Sequence, residues 1–217
     1  MASHSTGNYS RKEEIANSVT HGIGWALSIG ALVLLVVLSS LTGNAWLIVS
    51  CTIFGTGLVL LYTNSTLYHA IQARRAKKVF KVLDHSAIFF LIAATYTPYT
   101  LIILRGTWGW VLFGLVWGGF ILGSLMKVFF AGRFKWLSVA IYISLGWCIL
   151  LAMKPLIENM ELPGILLLAG GGAAYSIGAL IYARKTLRYS HAVWHLYVMV
   201  GSALHFFSVI YYVIPKG

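Results

Sequence analysis

Acid is what this chain has least of. Its 217 residues include a single aspartate, Asp84, and four glutamates, Glu13, Glu14, Glu158 and Glu161. Charged side chains of both signs amount to 10%, against roughly 25% in a soluble domain, so no polar shell can be built around a water-soluble core. Cysteine is nearly missing as well: Cys51 and Cys148 each lie inside an apolar run, without the spacing of metal ligands, which leaves packing as their role. No repeat of 20–50 residues is present, nor the inverted-repeat pattern of a transporter. The glycine run Gly170–Gly172 lacks a following Lys-Ser/Thr, so it is no phosphate loop.

What the chain does have is apolar length. Hydrophobic residues make up 59% of it, above the roughly 45–50% of soluble domains. Seven apolar runs occupy 21–41, 45–71, 82–104, 107–130, 134–153, 162–183 and 191–214. A helix of about 20 residues, rising about 1.5 Å per residue, crosses a hydrocarbon core of roughly 30 Å. Lipid cannot satisfy open backbone groups, and these runs are too continuous for the alternating strands of a barrel. The expected fold is an all-α bundle of seven transmembrane helices over 13–217, preceded by a disordered cytoplasmic tail over 1–12 that includes His4. The first run is too long for the core of a signal peptide and is expected to stay in the protein.

The net charge of +11 invites a nucleic-acid reading, but its distribution points elsewhere. Thirteen of the sixteen Lys and Arg residues fall on one side of the seven spans: Arg11 and Lys12, then the cluster from Arg74 to Lys81, then the flanks of the fourth-to-fifth and sixth-to-seventh turns. The remaining three are Arg105, Lys154 and Lys216. The positive-inside rule places the N-terminus in the cytoplasm, and the odd span count puts the C-terminus outside, in a multi-pass protein of the cell's cytoplasmic membrane. The partner of the basic face is then anionic lipid of the bilayer, and no nucleic acid is expected. Gly114-x-x-x-Gly118, Gly119-x-x-x-Gly123 and the glycine run with Ser176 mark close helix contacts. Pro98 is expected to kink the third span. Trp46, Trp108, Trp110, Trp136, Tyr211 and Tyr212 sit near span ends, as interfacial aromatics do.

Ionisable residues inside a span are costly, so each is a functional candidate. His69 lies five residues before Arg74, about 7.5 Å along a helix. Asp84 follows Lys81 by three residues, and His191 and His195 follow Arg188 by three and seven. Three spans thus deliver His69, Asp84, His191 and His195 to one layer of the inner leaflet. Because the topology was read from Lys and Arg alone, this agreement of depth is independent of it. His191-x-x-x-His195 presents two imidazoles on one helix face, and Ser65-x-x-x-His69 pairs a hydroxyl with a third. Three neutral imidazoles with one open position suit a Zn²⁺ site of the catalytic type. Position 192 is Ala, so the glutamate of the metalloprotease motif is missing and Asp84 is taken as the only buried acid to serve as base. The plainer alternative makes each histidine interfacial and pairs Asp84 with Lys81. His21 is read as structural, at the edge of the site. His85 is rotated about 100° from Asp84, toward headgroups or a neighbour. His205, roughly 15 Å beyond His195, is read as a hydrogen-bonded structural residue.

At these residues the chain resembles the hemolysin III family, the bacterial branch of the progestin and adipoQ receptor family that includes the adiponectin receptors. The matching stretches are Glu14 to His21, Ser65 to His69, Asp84-His85-Ser86 and His191 to His195. The resemblance implies zinc held by His69, His191 and His195, with Asp84 beside the water that the metal activates and Ser65 next to it. Alkaline ceramidases are similar in their Ser, Asp and three-His set, which implies hydrolysis of a lipid amide.

Two functions fit these readings: a zinc-dependent hydrolase of a membrane-lipid amide or ester, and a sensor or receptor-like protein with structural zinc. Asp84 separates them, because a structural site has no need of a buried acid. A cytolytic pore former is disfavoured, because no export signal is expected and a polytopic chain reaches a foreign membrane with difficulty. A retinal protein is excluded by the absence of lysine in the seventh span. The charge count runs opposite to the outside N-terminus of G-protein-coupled receptors. Substrate identity and oligomeric state are not encoded in any motif found.

Overall fold

The structure is a computed structural model, and it describes residues 9–130, 133–184 and 188–217. Among these residues there is no strand, and seven helices are long and apolar enough to cross a membrane. They are span 1 (Arg11–Ser40), span 2 (Ala45–Ala70), span 3 (Arg74–Ile103), span 4 (Thr107–Phe130), span 5 (Lys135–Asn159), span 6 (Leu162–Arg184) and span 7 (Ser190–Lys216). Short connections make neighbouring spans antiparallel. One end of the bundle, called here the basic end, therefore gathers the starts of spans 1, 3, 5 and 7 and the ends of spans 2, 4 and 6.

The bundle is apolar outside as well as inside. Leu27, Leu122 and Phe129 are 64%, 69% and 74% exposed, a pattern that water would penalise and lipid accepts. Span 3 is the central helix: 72% of its most apolar stretch is buried, against 22% in spans 1 and 4. It carries Asp84, so the acid lies toward the middle of the molecule.

Span 1 starts at Arg11, ten residues before its apolar run and inside the segment expected to be a disordered tail. Ser10 and Glu13 form a capping box: the Ser10 hydroxyl accepts from the Glu13 amide, and the Glu13 carboxylate accepts from the Ser10 amide. Such a cap is worth about 1 kcal/mol. Residues 1–8, His4 among them, and Lys185 of the basic count lie outside the described residues. Span 3 likewise begins eight residues before its apolar run, because the basic segment from Arg74 is already helical. Apolar runs mark the lipid-embedded part of a helix, and both helices continue beyond it.

Immediately after Pro98 the α-helical ladder of span 3 gives way to a π turn over Tyr99–Ile103, since proline offers no amide to continue it. Of the two glycine pairs in span 4, Gly119 and Gly123 meet Leu145 and Phe89, where an added Cβ would come within 2.8 and 2.5 Å. Gly114 and Gly118 face open space instead, so the close contact expected there is not made within this chain. Lys127, counted above as a flanking charge, is 2% exposed and donates to the Ser138 hydroxyl. Cys51 and Cys148 are free and buried.

Candidate metal centre

The last turn of span 2 and the first two turns of span 7 meet at the basic end of the bundle. His69, His191 and His195 are all buried there, and each offers a ring nitrogen within 4.8 Å of the other two. The Nε2 atoms of His69 and His191 are 3.1 Å apart. Four tetrahedral ligand positions at about 2.0–2.1 Å from an ion are themselves roughly 3.4 Å apart, so the three rings are spaced to share one ion.

The outward nitrogens are all engaged. His69 Nδ1 donates to Glu14 Oε2 at 2.6 Å, and His195 Nδ1 donates to the Asn17 carbonyl at 3.1 Å. A carboxylate and a carbonyl can only accept, so both rings carry their proton on Nδ1 and turn the Nε2 lone pair inward. His191 Nδ1 lies 3.0 Å from the Tyr9 hydroxyl. Burial above all holds the Tyr9 phenol above its ordinary range, so it meets His191 as a neutral hydroxyl. The inward lone pair of His69 and the Nε2 of His191, 3.1 Å apart, need a cation or a proton between them. The residues present therefore fit a divalent, nitrogen-binding ion of the zinc type.

Around this cluster the structure gathers the other expected residues. An internal cavity of about 140 Å³ runs from His21, Ser65, Asp84, His191 and His195 at the basic end to Met153, Leu156 and Ile165 near the other, with mostly apolar walls. Ser65 is 1% exposed and its hydroxyl has no hydrogen-bond partner among the described residues, which leaves it able to donate into the cavity. Asp84 lies in the wall outside the three-nitrogen cluster, 3.7 Å from His85 Nδ1. Its expected alternative, Lys81, instead offers its backbone carbonyl to that same His85 nitrogen at 2.7 Å. The His85 side chain, expected to turn away from Asp84, lies beside it instead, and its backbone carbonyl accepts from the Tyr142 hydroxyl at 3.1 Å. His205 donates to the Leu168 carbonyl at 3.1 Å and stands apart from the three-nitrogen cluster.

One expectation needs correcting. Asp84 is not the only buried acid, for Glu14 is 6% exposed and bonds both His69 and Lys77. The first apolar run begins at residue 21, so Glu14 falls between that run and the expected tail over 1–12, where composition gives no sign of burial. Tyr9, Asn17, Thr20 and Lys77 were missed for the same reason or as surface residues. A signal was present in the spacing: Glu14, Asn17, His21, Gly24 and Ser28 follow one another by three or four residues, and all five are buried. A polar stripe on a helix that is otherwise apolar faces the bundle interior. His21 belongs to that stripe, and its ring stacks on His195 with centroids 3.4 Å apart and planes 11° from parallel.

Comparison with known proteins agrees with this architecture. A family model described as "Haemolysin-III related" matches residues 9–206. The chain is 48% identical over 206 residues to "Hemolysin-3" of Bacillus cereus, covering 95% of this chain and 94% of that one. It is 47% identical over 201 residues to "Hemolysin-3 homolog" of Bacillus subtilis, covering 93% and 94%. A weaker similarity, 26% over 203 residues and covering 91% and 83%, links it to human "Monocyte to macrophage differentiation factor". With its seven apolar helices and its buried histidine triad, this chain is a multi-pass membrane protein that belongs to the haemolysin-III-related family.

Proposed function

We propose that the protein is a zinc-dependent hydrolase of a membrane-lipid amide or ester, working at the cytoplasmic leaflet of the cell membrane. The observation that supports this most is the placing of three histidine Nε2 donors at the head of an apolar cavity, with an acid and an unpartnered hydroxyl in its wall. Zinc, when held by His69, His191 and His195, supplies Lewis acidity toward a water and a substrate carbonyl.

The chain's own residues supply the rest. Asp84, held in the wall by span 3, takes the proton of an attacking water as general base. Ser65 donates its free hydroxyl to the carbonyl oxygen as negative charge develops there. The apolar walls between the two ends of the cavity accept a hydrocarbon chain and keep bulk water away from the acid. His21 braces His195 by stacking. The orientation assigned to the bundle follows from twelve of the fifteen described Lys and Arg residues lying at the metal end. A reporter fused after Gly217 is expected to be active only outside, and opposite labelling would move the reaction to the other leaflet.

A second reading is favoured by one specific feature: partners from span 1 and the segment before it hold ligands on spans 2 and 7, as a structural tie would. In that reading the protein is a membrane sensor or receptor-like protein. The deciding experiment presents the purified, zinc-loaded protein in lipid nanodiscs with a panel of ceramides, N-acyl amides and lipid esters. Hydrolysis that a chelator stops and zinc restores is the expected result. If nothing in the panel is turned over, the sensor reading takes its place.

A further inference from the structure

Resting on the metal reading above, we infer that Glu14 is a positioning residue for the centre, holding His69 in place as a ligand, and that Lys77 serves to hold Glu14. Of the four residues that engage the outward ring nitrogens, Glu14, Tyr9, Asn17 and Thr20, Glu14 is the only charged one. Its contact with His69 is also the shortest, 2.6 Å against 3.0 Å for Tyr9 on His191 and 3.0 and 3.1 Å for Thr20 and Asn17 on His195. That length belongs to a charge-assisted bond, which is stronger and more directional than a neutral one.

His69 has particular need of such an anchor. It is the next-to-last residue of span 2, where a helix frays most readily. Two mirror-image alternatives have to be prevented: the ring turning its Nδ1 inward, and the carboxylate turning toward the ion as a fourth ligand. Lys77 blocks the second, because its ammonium donates to Glu14 Oε1 at 2.8 Å and leaves only Oε2 for the ring. Lys77 is itself buried, with its nitrogen 5.2 Å from the centre of the Tyr68 ring. The chain Lys77–Glu14–His69 thus joins the starts of spans 3 and 1 to the end of span 2, and it fixes the tautomer, the orientation and the basicity of one ligand.

The competing explanation is that Glu14 is only the counterion of a buried lysine. Two variants separate the two, each studied as full-length protein in nanodiscs, with zinc affinity measured by chelator competition and melting measured on the metal-free form. Glu14→Gln is expected to bind zinc roughly 10–100-fold more weakly and, with Lys77 left unpaired, to melt lower without metal. Adding Lys77→Met removes the stranded charge while keeping the side chain's length. In the double variant the metal-free melting should recover toward wild type, while zinc affinity stays roughly 10–100-fold down. The visible spectrum of the cobalt-loaded double variant should also differ from that of wild type, because the field of one ligand has changed. A double variant that recovers stability and zinc affinity together would reduce Glu14 to a counterion and overturn the inference. If wild type itself binds no zinc, the metal reading fails first, and that result is distinguishable from loss in the variants alone.

Discussion

The two halves of the bundle bury different kinds of polar group. In the half away from the basic end, the buried Ser39, Ser50, Thr97 and Thr100 are short hydroxyls that donate to carbonyls of their own helix, at 2.6 to 3.1 Å. Such groups are neutral and largely satisfied within their own helix, and where a bond does cross between spans, as from Ser208 to the Gly164 carbonyl at 3.0 Å, both partners are uncharged. In the basic half the buried groups include Asp84, beside His85 of its own span, and Glu14, His69, Lys77, His191 and His195, whose bonds cross between spans. Among the described residues His205 is the one buried Asp, Glu, Lys or His outside that half, and it is tied to Leu168 of span 6. Within one membrane protein, neutral hydroxyls are satisfied mostly by their own helix, whereas the ionisable cluster is assembled from several helices at once.

Substitutions can break this contrast at decreasing cost. Asp84→Asn is expected to keep its zinc yet lose turnover of the lipid substrate by about 10²-fold or more, the scale of removing a general base. Release of zinc by the same substitution, read by metal analysis, would make Asp84 a ligand instead. Stripping the metal should lower the melting temperature, because the ion ties span 2 to span 7. At free zinc a hundredfold above its Kd the loaded form gains about 2.7 kcal/mol, and identical melting curves with and without chelator would deny that tie. Ser65→Ala should slow turnover by roughly tenfold, the value of about one hydrogen bond, with metal content unchanged. Ser50→Ala should change stability by about 1 kcal/mol or less, since its hydroxyl serves only the Trp46 carbonyl. It should leave zinc binding as it is, and so should His205→Ala. A loss of zinc in either, read by metal analysis, would mean that the two halves are coupled.

Much of this was legible in the sequence, and the parts that were not share a cause. Length and composition carry the seven spans because lipid imposes a minimum run of apolar residues. The depth of His69, His191 and His195 followed from counting residues back to the nearest basic ones. The structure places all three in one cluster, with Ser65 and Asp84 in the adjoining cavity wall. Helix ends were less legible, because a helix continues into the polar layer, where composition no longer marks it. Glu14 and Lys77 fall there, Glu14 between the expected tail and the first apolar run and Lys77 on the basic surface, although the spacing from Glu14 to Ser28 carries the periodic signal. The direction in which Gly114 and Gly118 face was not legible at all, since a small-residue pair marks a possible contact without naming its partner.

The central claim is that three histidines from two spans hold one ion. Its most direct test is the zinc content of purified wild-type protein beside that of the His191→Ala/His195→Ala double variant. The account predicts about one zinc per chain in the first and none above background in the second, with the variant still folded as a helical membrane protein. A stoichiometric ion that survives the loss of both histidines would contradict it.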